Sequence, residues 1–239
     1  MENHKTTYVL VHGAWHGSWC WKRVRAALQS AGHNVFTPTL TGLGERSHLN
    51  SAAVDLSTHI ADIVNLIKWE ELSDVVLCGH SYAGAVISGV VDRVSDRIGA
   101  LIYLDAFVLE NGQSLFDVVP AEVRNAHIEA ARQVGEGWKV PPIPAEVFNV
   151  NAKDRDWVNR QCTMQSLATL QQPIHLTGAI NRIENVTYIL ANGWGPSLFP
   201  PFYEQAKAKG WKTLTIFSGH DVMLDQPEEL TEKLLALST

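Results

Sequence analysis

The chain alternates short apolar runs with longer stretches in which apolar residues recur every three or four positions. Thr6 to Val11 (TTYVLV) predicts a strand. Trp21, Val24, Leu28 and Ala31 share one face of a following helix, which Ser18 can cap and Gly32 can end. Asn34 to Thr37 predicts a short strand stopped by Pro38. Leu56, Ile60, Ile63 and Ile67 mark the next helix, with Asp55 at its start. Asp74 to Cys78 (DVVLC) reads as a fully buried strand, Tyr82 to Arg93 as a helix, and Ile98 to Leu104 (IGALIYL) as a second buried strand. Strands apolar on both sides, each followed by a helix, predict an α/β fold: a mostly parallel sheet with helices on both faces.

The rhythm breaks between residues 107 and 184. Pro120, Pro141, Pro142, Pro144 and Pro173 interrupt weak helical patterns there, and clean strand signals are missing. This predicts an inserted helical cap over 107–184, with 1–106 and 185–239 forming the core of a single domain. Strand and helix return as Val186 to Ala191, Leu198 to Lys209 and Thr213 to Phe217. Asp225-Gln226-Pro227-Glu228 then opens a last helix with Leu230, Leu234, Leu235 and Leu237 on its apolar side.

Composition narrows the function classes. Of 239 residues, 46% are hydrophobic and 18% charged, which supplies a large core and excludes general disorder. Nineteen Lys and Arg against 25 Asp and Glu leave a net charge of −6, and no basic run stands out. Nucleic acid and anionic membranes are therefore not expected partners. Cys20, Cys78 and Cys162 are odd in number and widely spaced, unlike a disulfide framework or a zinc site. They suit a reducing cytoplasm, the expected location. Met1 to Lys5 lead straight into the first strand, and no apolar run is long enough for a signal segment or a membrane span. Eight tryptophans exceed ordinary usage and must serve core, pocket or surface.

Three short segments carry candidate chemistry. Gly79-His80-Ser81-Tyr82-Ala83-Gly84 joins a buried strand to a helix. Small neighbours let the backbone turn sharply and present the Ser81 hydroxyl at the sheet edge, beside the N–H groups of a helix start. The plainer reading is a glycine-flanked turn with a capping serine. His12-Gly13-Ala14-Trp15 ends the first strand, and its Ala14 N–H can join the Tyr82 N–H in holding an oxyanion. His12 itself suits a structural hydrogen bond. Ser218-Gly219-His220-Asp221 follows the last strand and offers His220 as the base that a serine hydroxyl needs.

With these residues the chain resembles the α/β-hydrolase superfamily, and within it the compact branch of plant methylesterases, hydroxynitrile lyases and bacterial esterase-like relatives. The resemblance spans nearly the whole chain. It is sharpest at Val9–Trp21, Pro38–Leu49, Cys78–Gly84 and Gly219–Leu224, and weak through the cap. It implies Ser81 as nucleophile, His220 as base and the Ala14 and Tyr82 amides as oxyanion hole. It implies no metal or organic cofactor, and a small-molecule ester as the partner.

The acid does not transfer cleanly. On the loop Ala191-Asn192-Gly193-Trp194, Asn192 stands where the family usually has aspartate. Asparagine can orient an imidazole but cannot supply charge. Asp105, just after the strand Ile98 to Leu104, is the preferred acid, with Asn192 the alternative position. Lyases of this branch carry threonine in the oxyanion turn and lysine after the histidine, where this chain has Gly13 and Asp221. The expected activity is hydrolysis of esters or lactones of small, partly apolar or aromatic compounds. A lyase, a carbon–carbon or amide bond hydrolase and a ligand receptor are the alternatives. Trp15, His80, Trp138 and Trp194 are the expected pocket residues. The cap aromatics Phe107, Phe116, Phe148 and Trp157 read first as the cap's own small core.

Overall fold

The computed structural model describes residues 5–237; Met1 to His4, at the head of the expected first strand, lie outside them. The chain runs β1 (Thr7–Val11), α1 (Lys22–Ser30), β2 (Asn34–Phe36), α2 (Leu56–Trp69), β3 (Val75–His80), α3 (Ala83–Val94) and β4 (Ile98–Leu104). Next come α4 (Leu115–Val118), α5 (Ala121–Val134), β5 (Lys139–Val140), α6 (Arg155–Gln161), β6 (Gln165–Ser166) and α7 (Ala168–Gln171). The chain closes with β7 (Asn185–Ala191), α8 (Pro200–Ala208), β8 (Lys212–Ile216), α9 (Val222–Asp225) and α10 (Pro227–Leu237).

The main sheet has the order β2-β1-β3-β4-β7-β8, and every pairing in it is parallel. Successive side chains on each strand point to opposite faces, and both faces are apolar. Val9, Val11, Leu77, Leu101, Tyr103 and Tyr188 belong to one buried cluster with Ile60, Ile63 and Ile67 of α2 and Val86 and Val90 of α3. Tyr8, Leu10, Val76, Cys78, Ile102 and Ile189 belong to the other, with Val24 and Leu28 of α1 and Leu230 and Leu234 of α10. Strand order reverses between β1 and β3, where Val11 pairs with Gly79. Such a reversal opens a crevice at the carboxyl ends of the strands.

Local signals explain most boundaries. Asp55 caps α2, its Oδ1 accepting from the Thr58 amide at 2.8 Å. Gly32 ends the first helical segment at φ +94°. Ser18 does not cap α1. It opens a 3-10 turn (Ser18–Trp21) ahead of that helix, and its amide donates to Thr39 Oγ1 at 2.8 Å. The expected last helix is two, α9 and α10, parted just before Pro227.

Between β4 and β7 the chain forms short helices and one antiparallel pair, β5 with β6. Strands of two residues are too short to show a period, so the sequence reads there as strandless. Arg23 of α1 grips this segment, donating to the Asp154 carboxylate at 2.6 and 2.7 Å and to the Leu224 carbonyl at 2.6 Å. Among the described residues no helix is long and apolar enough to cross a membrane.

Candidate active site

β3 is buried along its whole length, and the next residue, Ser81, is half-buried at φ +55°. A non-glycine residue with positive φ is strained, and here the surrounding bonds hold it. The Ser81 amide donates to the Leu104 carbonyl at 3.2 Å, and the Ser81 carbonyl accepts from Gly84 at 3.0 Å and Phe107 at 3.2 Å. Ala83, where the G-x-S-x-G pattern has glycine, is fully buried at the start of α3. Glycine is required one residue later: a Cβ on Gly84 would run into the Phe107 carbonyl oxygen. Gly13 packs as closely from the other side, since a Cβ there would lie 3.0 Å from Ser81 Cβ.

The parallel register carries the next residues to the same edge. His80 pairs with Leu104, so Asp105 follows beside Ser81, and Leu104 pairs with Ile189. Asp105 is fully buried at φ +43°. Its Oδ2 accepts from His220 Nδ1 at 2.7 Å and from Trp194 Nε1 at 3.2 Å, and its Oδ1 accepts from the Ala191 amide at 3.1 Å. Asn192 is exposed, and its amide is tied to the Ile216 carbonyl at 3.0 Å. The geometry thus brings Asp105, and not Asn192, to the His220 ring. Burial pushes the Asp105 carboxyl up to about 7 and the His220 imidazole down to about 4.

The turn after β1 is fixed by His12. Leu40 N–H donates to His12 Nε2 at 3.1 Å, so Nδ1 carries the proton and donates to the Gly13 carbonyl at 2.8 Å. That carbonyl belongs to the same peptide unit as the Ala14 N–H. Burial lowers the His12 pKa to about 3, which keeps the ring neutral. Trp15 follows at φ +63°, its amide donating to Gln165 Oε1 at 3.0 Å.

Ala14, Trp15, Ser81, Tyr82 and His220 open onto one pocket of about 600 Å³ including its mouth. Residues 107–184 wall it with Phe107, Phe116, Val119, His127, Ile143 and Phe148, and Trp194 and Phe199 close it beside His220. Phe199 stacks on the His220 ring at 4.8 Å, with Trp194 and Phe148 each at 5.0 Å. Most polar tips in this wall are already engaged. Trp15 Nε1 donates to the Val140 carbonyl at 3.2 Å, Trp194 Nε1 to Asp105, and the Tyr82 hydroxyl to His59 Nδ1 at 2.9 Å. The surface offered to a ligand is therefore largely apolar.

Two expected pocket residues lie elsewhere. His80 is fully buried behind the site, its Nε2 donating to the His220 carbonyl at 3.0 Å, because it is the last residue of a strand buried along its whole length. Trp138 does not line the pocket; it sits before β5, with the Lys139 ammonium 5.1 Å over its ring. Conversely, Phe107, Phe116 and Phe148 face the pocket, while Trp157 packs edge-on against Trp19 at 5.0 Å. His127, Val119 and Ile143 carried no signal in the sequence; their place depends on how short helices cross. Among the described residues no group of three His, Cys, Asp or Glu side chains is placed to hold a metal ion.

A family model described as the alpha/beta hydrolase family matches residues 8–233. The chain belongs to that family. Among its relatives, this hydrolase is 50% identical over 238 residues to a carbendazim hydrolyzing esterase of Nocardioides sp. (strain SG-4G), covering 96% of this chain and 98% of the other. It is 30% identical over 148 residues to methylesterase 2 of Arabidopsis thaliana, covering 57% of this chain and 50% of that one. An extracellular alpha/beta-hydrolase from a Paenibacillus species, described as sharing structural and functional homology with tobacco salicylic acid binding protein 2, superimposes with a TM-score of 0.83. That match has 25% identity and covers 98% of each chain.

Proposed function

We propose that this hydrolase cleaves carboxylic esters of small apolar or aromatic molecules through a Ser81 acyl-enzyme. The observation that carries the reading is the buried 2.7 Å bond from His220 Nδ1 to Asp105, at the sheet edge that also presents strained Ser81. With Nδ1 committed to Asp105, the second ring nitrogen of His220 is the one available to Ser81. Ser81 Oγ attacks the ester carbonyl and gives its proton to His220. The Ala14 and Tyr82 amides hold the resulting oxyanion. The tetrahedral adduct collapses, its carbon–oxygen bond to the alcohol breaks, and His220 protonates the leaving oxygen. Water, deprotonated by His220, then attacks the acyl carbonyl, and Ser81 Oγ leaves with the returned proton. Water is the only co-substrate, and no electron is transferred.

The near full-length relative named as an esterase supports this reaction class. The carboxylate of Asp221, directly after the base, speaks against cyanohydrin cleavage, which needs a cation for departing cyanide. Residues 107–184 act as a cap that sets the shape of the acyl and alcohol sites. The test compares wild type with Ser81→Ala on p-nitrophenyl acetate, small aromatic methyl esters and carbendazim. Loss of the serine should lower turnover by about 10⁵-fold. Equal rates in the two proteins, or rapid cyanide release from a cyanohydrin without ester hydrolysis, would remove this reading.

A further inference from the structure

Behind His220 lies a second set of buried ionisable groups that ester cleavage does not use. His16 and Asp221 are 3% and 0% exposed, and His16 Nε2 meets Asp221 Oδ2 at 2.9 Å. The other ring nitrogen, Nδ1, lies 2.7 Å from the Ala14 carbonyl oxygen. A carbonyl and a carboxylate both only accept, so both ring nitrogens must donate, and only the imidazolium does that. Trp19 lies flat against the ring at 4.9 Å, a position that favours a cation. The other titratable groups that interact with His16 include Cys162, with Sγ 3.9 Å from Nδ1, His80, with its ring 6.4 Å away, Cys20, His12 and His220. The Asp221 carboxylate holds the His16 pKa well above its ordinary value despite burial, and His16 in turn holds Asp221 well below the carboxylate range.

The two partners of His16 belong to the two loops that must meet for catalysis. Ala14 supplies an oxyanion amide, and Asp221 is joined by a peptide bond to His220. We propose that the His16–Asp221 ion pair is a positioning device that locks the oxyanion turn to the loop of the base. It also settles the charge around His220. Asp221 and His16 act on that ring with opposite sign, and as an ion pair they carry no net charge. Neither residue touches substrate; both act through Ala14 and His220.

The inference rests on the Ser81 esterase reading, and its test separates the two. Turnover is measured per active site titrated with an organophosphate. His16→Ala and Asp221→Ala should each lower kcat by about 10–100-fold and leave KM within about twofold. The double variant should lose no more than either single one. Asp221→Asn should recover most of the loss, because its amide can donate to Nε2 of a neutral His16 whose Nδ1–H still reaches Ala14. Where an alanine variant does not fold, His16→Gln fills the space and severs one link, with the same kcat-only loss expected. Independently of activity, nitrogen-15 spectra of histidine-labelled wild type should show His16 protonated on both ring nitrogens from pH 5 to 8, as about expected for a paired buried imidazolium. A neutral His16 at pH 7, additive losses, unchanged kcat per titrated site, or an asparagine variant as impaired as the alanine one would each overturn the proposal. A wild type without serine-dependent turnover would instead sink the esterase reading, while the spectra would still judge the pair.

Discussion

The carboxyl edge of the sheet and the segment 107–184 face each other across one pocket and are built on different terms. At the edge, Trp15, Ser81 and Asp105 all hold positive φ, and the side chains of His12, Asp105 and His220 are fixed by short hydrogen bonds. Adjacent parallel strands in fixed register place these groups. Across the pocket, short helices and loops present Phe116, Val119 and Ile143, which fill space and hold no charge. The strand ends thus hold the candidate catalytic groups, and the opposite layer shapes the pocket.

The largest effect that would break this contrast concerns the acid. Asp105→Asn should lower kcat by about 10²–10⁴-fold, because it removes the charge that stabilises the imidazolium and favours the wrong tautomer. Asn192→Ala, at an exposed site, should stay within about twofold. Steady-state kinetics on one ester checks both, and the reverse ranking would return the acid role to the loop after β7.

The pH profile follows from the same pair. Above about 7, Asp105 is ionised and His220 is neutral with its proton on Nδ1. As pH falls through that value the pair takes up a proton. A proton on Asp105 reverses the bond and moves the ring proton to Nε2, and a proton on His220 occupies Nε2 directly. Either way the base is lost, so kcat/KM should rise with pH to a plateau above an apparent pKa near 7. A rate independent of pH from 5 to 8 would contradict this.

The smallest of these effects should come from the opposite wall. Phe116→Ala should raise KM for aromatic esters by about 10-fold while kcat stays within about threefold, since it removes contact without touching the reacting atoms. A kcat loss matching that of the acid variant would erase the distinction between the two regions.

Legibility in the sequence follows the same division. β3 and β4 were readable because strands buried on both faces are unbroken apolar runs, and Ser81 and His220 because they stand in short loops directly after strands. Asp105 was visible only as a residue at the end of a strand. Its bond to His220 spans 115 positions and depends on sheet order, which apolar patterning does not encode. The His16–Asp221 pair spans 205 positions and left no local mark. The pocket face of 107–184 is not legible in the sequence, because Phe116 and Phe148 look the same there whether they pack inward or face a gap.

Trp194 joins the two regions in one side chain: its ring walls the pocket and its N–H reaches the Asp105 carboxylate. The consequence is for how substrate range can change over time. A substitution that enlarges the pocket at position 194 also unsettles Asp105, the carboxylate bound to His220, so under the proposed mechanism selection for a bulkier ester there is opposed by a loss of rate. Phe116, Val119 and Ile143 carry no such second duty. New substrates are therefore most accessible to this scaffold through drift in residues 107–184, with Trp194 as the fixed point around which they drift.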